Sequence, residues 1–230
     1  MRGWCLSDGA DRAGVGQAGE RQLCSSLVRL ASLAATWVLV ATFPQGKLYR
    51  MDQEGTEVVA LRAEGLFRAP AWAVREVLLH GSRYGRVSPY LAERRILHAE
   101  GCRDGASELP GCRRVWAYER YEPPLVGSRD FALRVEIVAD DVDRGGDFAI
   151  EWDIDESHGK PPDGGTHVLV NRGAWEISPA GERTRFGYRL STDPGSLPAW
   201  MVNIANRSQV PAVISAVEDE ARKLAESRGR

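Results

Sequence analysis

At 230 residues, 43% of them hydrophobic and 27% charged, the chain is long enough for one medium domain with a real core plus an N-terminal extension. Its 30 basic and 32 acidic residues leave a formal net charge of −2. That balance lacks the basic footprint of a nucleic-acid binder, so no nucleic-acid partner is expected.

Residues 1–26 are rich in Gly, Ala, Arg and Asp without periodicity, and read as a disordered leader or as a start site placed too early. Residues 27–43 form a hydrophobic segment. Its uncharged part, 30–43, is short for a membrane helix but fits the apolar region of a secretory signal or an anchor. This predicts an exported or membrane-anchored protein. The other reading is an N-terminal helix packed on the domain, which leaves the protein cytoplasmic.

Alternation predicts a first strand over 57–67, with Val59, Leu61, Ala63 and Phe67 on one side. Pro70 then opens a helix over 71–80, and 82–90 is a second short helical or turn segment. Strands follow over 92–100 and 113–121, separated by a loop that Cys102 and Cys112 bracket. A disulfide there suits an oxidising compartment. Zinc is the weaker reading, because His98 alone does not complete a tetrahedral site, and no metal is expected.

The loop 122–128 leads into the clearest strand, 129–139, where Phe131, Leu133, Val135 and Ile137 alternate with polar residues. Residues 147–155 alternate again through Phe148, Ile150, Trp152 and Ile154, which places Glu151, Asp153 and Asp155 on a solvated face. The Gly/Pro-rich loop 156–166 is either a lid or a plain surface connection, and His158 and His167 flank it without a required role. Strands over 167–177 and 183–191 complete the run, turning at Pro179-Ala-Gly181. Strands joined by hairpin-scale turns predict an antiparallel sheet and an α+β fold.

A long helix closes the chain, running to about Ser227, with Ser196 as N-cap and Pro198 in its first turn. Leu197, Met201, Ile204, Ile214, Val217, Ala221 and Leu224 form its apolar stripe, while Arg207, Glu218, Glu220, Arg222 and Lys223 fill the other face. Pro211 removes the hydrogen bond to the Arg207 carbonyl, and a kink is expected there.

This order resembles the START (steroidogenic acute regulatory-related lipid transfer) family, a helix-grip fold of the Bet v 1-like superfamily. Three matches carry the resemblance: Arg129-Asp130-Phe131 opening a strand after a Pro-containing loop, Asp193-Pro194-Gly195 followed by Leu197-Pro198-Ala-Trp200 and Asn203, and Pro211 in the helix. It covers about residues 54–227. The family commonly has two glycines after the Asp-Pro, whereas here one precedes Ser196.

The resemblance implies a curved antiparallel sheet gripping the last helix over a hydrophobic cavity. The partner is then one lipid, sterol or other apolar small molecule, carried by a monomer in transient contact with a membrane, without a cofactor. The expected lining is Phe131, Leu133, Val135, Phe148, Ile150 and Trp152 from strands, and Trp200, Met201 and Ile204 from the helix. Glu119 and Arg172 are polar candidates that could pair inside or lie on the solvated face. No nucleophile elbow or phosphate-binding glycine loop is present, so no catalytic residue is assigned. The alternative function is a polyketide cyclase or aromatase using the same cavity. In a third reading Trp152 and Trp200 fill the space and the protein is a regulatory module.

Overall fold

A computed structural model describes residues 36–88, 90–123, 127–160, 166–195 and 197–228. The chain is α+β, a curved sheet wrapped on a long C-terminal helix. The strands are β1 (Val38–Phe43), β2 (Gly46–Met51), β3 (Ala60–Phe67), β4 (Leu91–Glu100), β5 (Arg114–Tyr121), β6 (Arg129–Asp140), β7 (Phe148–Ile154), β8 (Thr166–His167), β9 (Val170–Ala180) and β10 (Arg183–Asp193). They make one sheet in the order β1-β2-β3-β10-β9-β7-β6-β5-β4, with β8 added parallel to β6 and every other pairing antiparallel. The helices are α1 (Ala71–Leu79), α2 (Gly81–Val87) and α3 (Ala199–Arg228). Among the described residues no helix is long and apolar enough to cross a membrane.

Two strands lie outside those predicted. Val38–Phe43, the second part of the hydrophobic segment 27–43, is the edge strand β1, hydrogen-bonded to β2. The sheet thus includes residues ahead of the expected start at Glu54. β-Branched and aromatic residues next to a sheet edge suit a strand as well as an apolar helix, and pairing decides between them. The leader 1–26 and residues 27–35 lie outside the described residues. The strand expected at residue 57 starts at Ala60, because Asn203 of α3 captures the backbone ahead of it. Its carbonyl oxygen accepts from the Val59 amide at 3.0 Å, and its amide donates to the Glu57 carbonyl at 3.0 Å.

The inward faces stack in rows across the sheet. Val115, Val135, Trp152, Gly173, Leu190 and Leu61 follow one another by register, as do Ile150, Trp175, Tyr188 and Ala63 in the next row. Gly173 leaves room for its neighbour: a Cβ there would come within 2.4 Å of the Trp152 ring. Phe67 stacks on Phe186 at 4.3 Å in the core, and Trp175 meets Tyr188 at 4.4 Å where both line the cavity. Each such side chain contributes about 1.5–3 kcal/mol by burial.

The predicted stripe faces the cavity at Leu197 and Met201 and the core from Ile214 onward, and it fails at Ile204. The buried residues of α3 are Val202, Asn206, Val210, Ile214, Val217, Glu218 and Ala221. Ile204 sits two positions past Val202, about 200° round the helix, and is exposed. Ser196 lies outside the described residues; α3 begins at Ala199, with the Pro198 carbonyl accepting from Met201 and Val202. Pro211 is inside the helix, which continues past it. Cys102 and Cys112 are joined in a disulfide that closes the β4–β5 loop, so neither thiolate serves a metal.

Candidate functional site

Between α3 and the concave face of the sheet lies a cavity of about 450 Å³. Leu133, Val135, Ile150 and Trp152 wall it from the sheet, while Met201, Val202, Val210 and Val213 roof it from α3. This is the size of a small-molecule site, which typically encloses about 300–1,000 Å³. α2 meets the second half of α3 through Arg83 and Arg86 at Glu220, and α1 through Trp72 at Arg228, while Met201 to Val213 of its first half lie over the cavity.

Of the nine apolar residues expected in the lining, Phe131, Leu133, Val135, Ile150, Trp152 and Met201 are there. Phe148, Trp200 and Ile204 are not. Phe148 is wholly buried in core, opposite Ile177 on β9, beyond the end of the cavity. Trp200 and Ile204 are each 63% exposed, on the side of α3 that faces away from the sheet. Trp200 therefore does not plug the cavity, as the regulatory-module reading needs. Trp152 lines the cavity as a wall, its indole N–H donating to the Asn171 side-chain Oδ1 at 3.1 Å.

Of the two polar candidates, Glu119 faces inward, 3% exposed, and Arg172 does not. Arg172 points from the outer face of β9 toward Arg134, Glu136, Glu151 and Asp153, since Gly173 and Trp175 hold the inward positions. The partner of Glu119 is Arg94, its register neighbour on β4, with Nε 3.5 Å from Oε1. The Tyr121 hydroxyl donates to Oε2 at 3.3 Å and itself accepts from the Ser88 hydroxyl at 3.1 Å. Tyr84 and Arg129 complete this polar end of the cavity. Asp130 turns away from it, toward His167 at 3.3 Å.

Of Arg94, Tyr84, Ser88 and Tyr121, the sequence placed only Tyr121, on the same face as Glu119. Counting outward from the bridged cysteines sets Arg95 opposite Glu119, and the bulge at Ile96/His98 shifts the register by one residue to bring Arg94 there. Tyr84 and Ser88, at and after the short helix α2, carry no such signal.

Burial sets the electrostatics. It pushes the Glu119 carboxyl above the ordinary carboxylate range, against the opposing pull of Arg94 and of the Tyr121 hydrogen bond. It raises the Tyr84 hydroxyl to about 12, and lifts Tyr121 and Tyr188 well above the ordinary phenol. The tyrosines are therefore neutral donors. A raised carboxyl means that the fold holds a proton the unfolded chain would release. That contribution is complete below the ordinary carboxylate range and is lost as pH rises through the folded value. Glu119→Gln, neutral at every pH, is expected to melt above the parent at pH 7–8, with the gap closing toward pH 4. Melting curves across that range check it; a gap independent of pH contradicts it.

Among the described residues, the loop 156–166 contributes nothing to the cavity up to Lys160. Its described part lies on the outer face, where Gly159 packs against Leu97 of β4.

No family model matches the chain, and no curated protein matches it. Solved structures do. Human STARD10 superposes with a TM-score of 0.69 at 16% identity over 84% of this chain and 76% of that one. Human StAR-related lipid transfer protein 5 gives 0.68 at 12% identity, over 84% and 89%. The STAR-related lipid transfer protein fragment from Xanthomonas axonopodis gives 0.66 at 20% identity, over 81% and 98%. With the large antiparallel sheet and the long closing helix, these superpositions show that the chain has the START helix-grip fold.

Proposed function

We propose that this protein binds one lipid, sterol or similarly apolar small molecule in the cavity beneath α3 and hands it on without changing it. The observation that carries the reading is the division of the cavity. Aliphatic and aromatic side chains form most of its wall, and Arg94, Glu119, Tyr121, Ser88 and Tyr84 gather at one end. Such a site desolvates an apolar body and orients a single polar head group. The names of the superposed lipid transfer proteins point the same way. Release requires the first turns of α3 to part from the sheet, where Asn203 holds them to the backbone before β3. Trp200 and Ile204 are exposed on those turns, and they would supply the transient membrane contact. Export or anchoring is supported by the Cys102–Cys112 disulfide; any cleavage would fall before Val38, since β1 belongs to the sheet.

The test is native mass spectrometry of freshly purified protein, followed by solvent extraction. One co-purifying apolar molecule is expected. A bare mass, together with no uptake of fluorescent fatty-acid and sterol analogues, overturns the proposal.

A cyclase or aromatase remains the second reading, because it needs a buried acid, arginine or tyrosine in the cavity, and Glu119, Arg94 and Tyr121 are all there. Those groups are engaged with one another, and conversion of a bound polyketide-like chain would decide for the enzyme.

A further inference from the structure

Outside the cavity, two imidazoles and a carboxylate meet on the outer face of the sheet. His98 and Glu100 alternate on β4, so they share a face, and the bulge at Ile96/His98 sets His98 opposite Trp116 of β5. His158 comes from a distant point in the chain, in the loop that leaves β7. The described part of that loop is seated on the outer face, at the edge strand. The His158 ring stacks on His98 with centroids 4.0 Å apart and meets the Trp116 ring edge-on at 4.3 Å. Gly159 is fitted against Leu97, where a Cβ would come within 3.2 Å.

We propose that His98, Glu100 and His158 form a binding site for a zinc ion, which fastens the loop after β7 to the edge strand β4. Their donor atoms all lie within 4.8 Å of one another, and His98 Nε2 is already 3.6 Å from Glu100 Oε1. Tetrahedral zinc with bonds of about 2.0–2.1 Å places neighbouring donors about 3.3 Å apart, and the lone pairs of stacked rings do not converge, so the exposed His158 ring tilts out of its stack on His98 to close the set. Two imidazole nitrogens and one carboxylate oxygen, with a fourth position for water, suit zinc. Magnesium and calcium demand more oxygen donors. Glu100 is also oriented from behind: its other oxygen takes Arg114 at 3.1 Å, and Arg114 is itself held by two hydrogen bonds to Glu136 at 3.0 and 2.8 Å. The site is independent of the cavity and of what the cavity binds.

Zinc titration of the untagged full chain by calorimetry tests this, with amide exchange across residues 157–160 as a second readout. His158 is exposed on a loop, so His158→Ala removes a donor without disturbing the core. Cys5 and Cys24 are present in parent and variants alike, and any zinc they take is a constant background. The expected result is a site whose affinity falls at least about tenfold in His158→Ala and again in His98→Ala, no less than the loss known for removing an outer-shell partner. Zinc should also slow exchange across 157–160 in the parent but in neither variant. Zinc uptake equal in parent and both variants, or no uptake at all, overturns the proposal.

Discussion

Met201→Arg is expected to abolish ligand uptake while leaving the protein folded. Met201 stands in the first turns of α3, half-buried, with its thioether over the cavity. In the free protein an arginine there can lay its stem along the helix and keep the guanidinium in water, so melting should shift by less than about 1 kcal/mol. With an apolar ligand bound, that charge is either desolvated without a partner or occupies the ligand's space. Either cost is several kcal/mol, and a loss of about 100-fold or more in affinity follows. Met201→Leu conserves volume and polarity and should bind as the parent does. Equilibrium titration with a fluorescent fatty-acid or sterol analogue reads all three proteins. Unchanged uptake by Met201→Arg would remove α3 from the binding site.

The largest expected loss of stability from a polar residue is at Glu218. Its carboxylate is 7% exposed and accepts the Arg68 backbone amide at 2.6 Å and the Gln45 side-chain amide at 2.8 Å. It therefore ties the second half of α3 to the β1–β2 turn and to the end of β3. Glu218→Ala leaves two donors unsatisfied beside a cavity, and hydrogen bonds to charged groups are worth about 1.5–3 kcal/mol each. A loss of about 3 kcal/mol lowers the melting temperature by about 6–12 °C in a domain of this size. Glu218→Gln keeps an acceptor for the Arg68 amide and should lose roughly half as much. A melting shift below about 2 °C for Glu218→Ala would show that the two donors find other partners.

Glu218 also shows where sequence reading fails. By residue type it belongs with Glu220, Arg222 and Lys223, and Glu220 does pair on the polar side with Arg83 and Arg86 of α2. Spacing sets Glu218 beside the buried stripe, four residues after Ile214 and three before Ala221, but does not supply its partner. The backbone amide of Arg68 does, and it arrives from 150 residues earlier in the chain. Asn206 is the same case, a polar residue buried on the cavity side of α3. Trp200 and Ile204 err in the opposite direction, since apolar side chains at the first turns of a helix are inward only if the helix enters at that angle.

What the sequence by itself determined was the order and kind of the elements from about residue 60 onward. Period-two alternation in β6, β7 and β10 and the Pro-flanked start of α3 are local signals, and local physics decides them. The START resemblance, carried by Arg129-Asp130-Phe131 and the Asp193-Pro194 lead-in, reached the right fold. Only the tertiary structure decided which strand edges pair, and so placed β1 and β2 in the sheet, Arg94 against Glu119, and Arg172 on the outer face. Only the tertiary structure brought His158 to His98. These contacts join residues far apart in the chain, and their free energy comes from groups that meet only after the sheet has curved and α3 has closed on it.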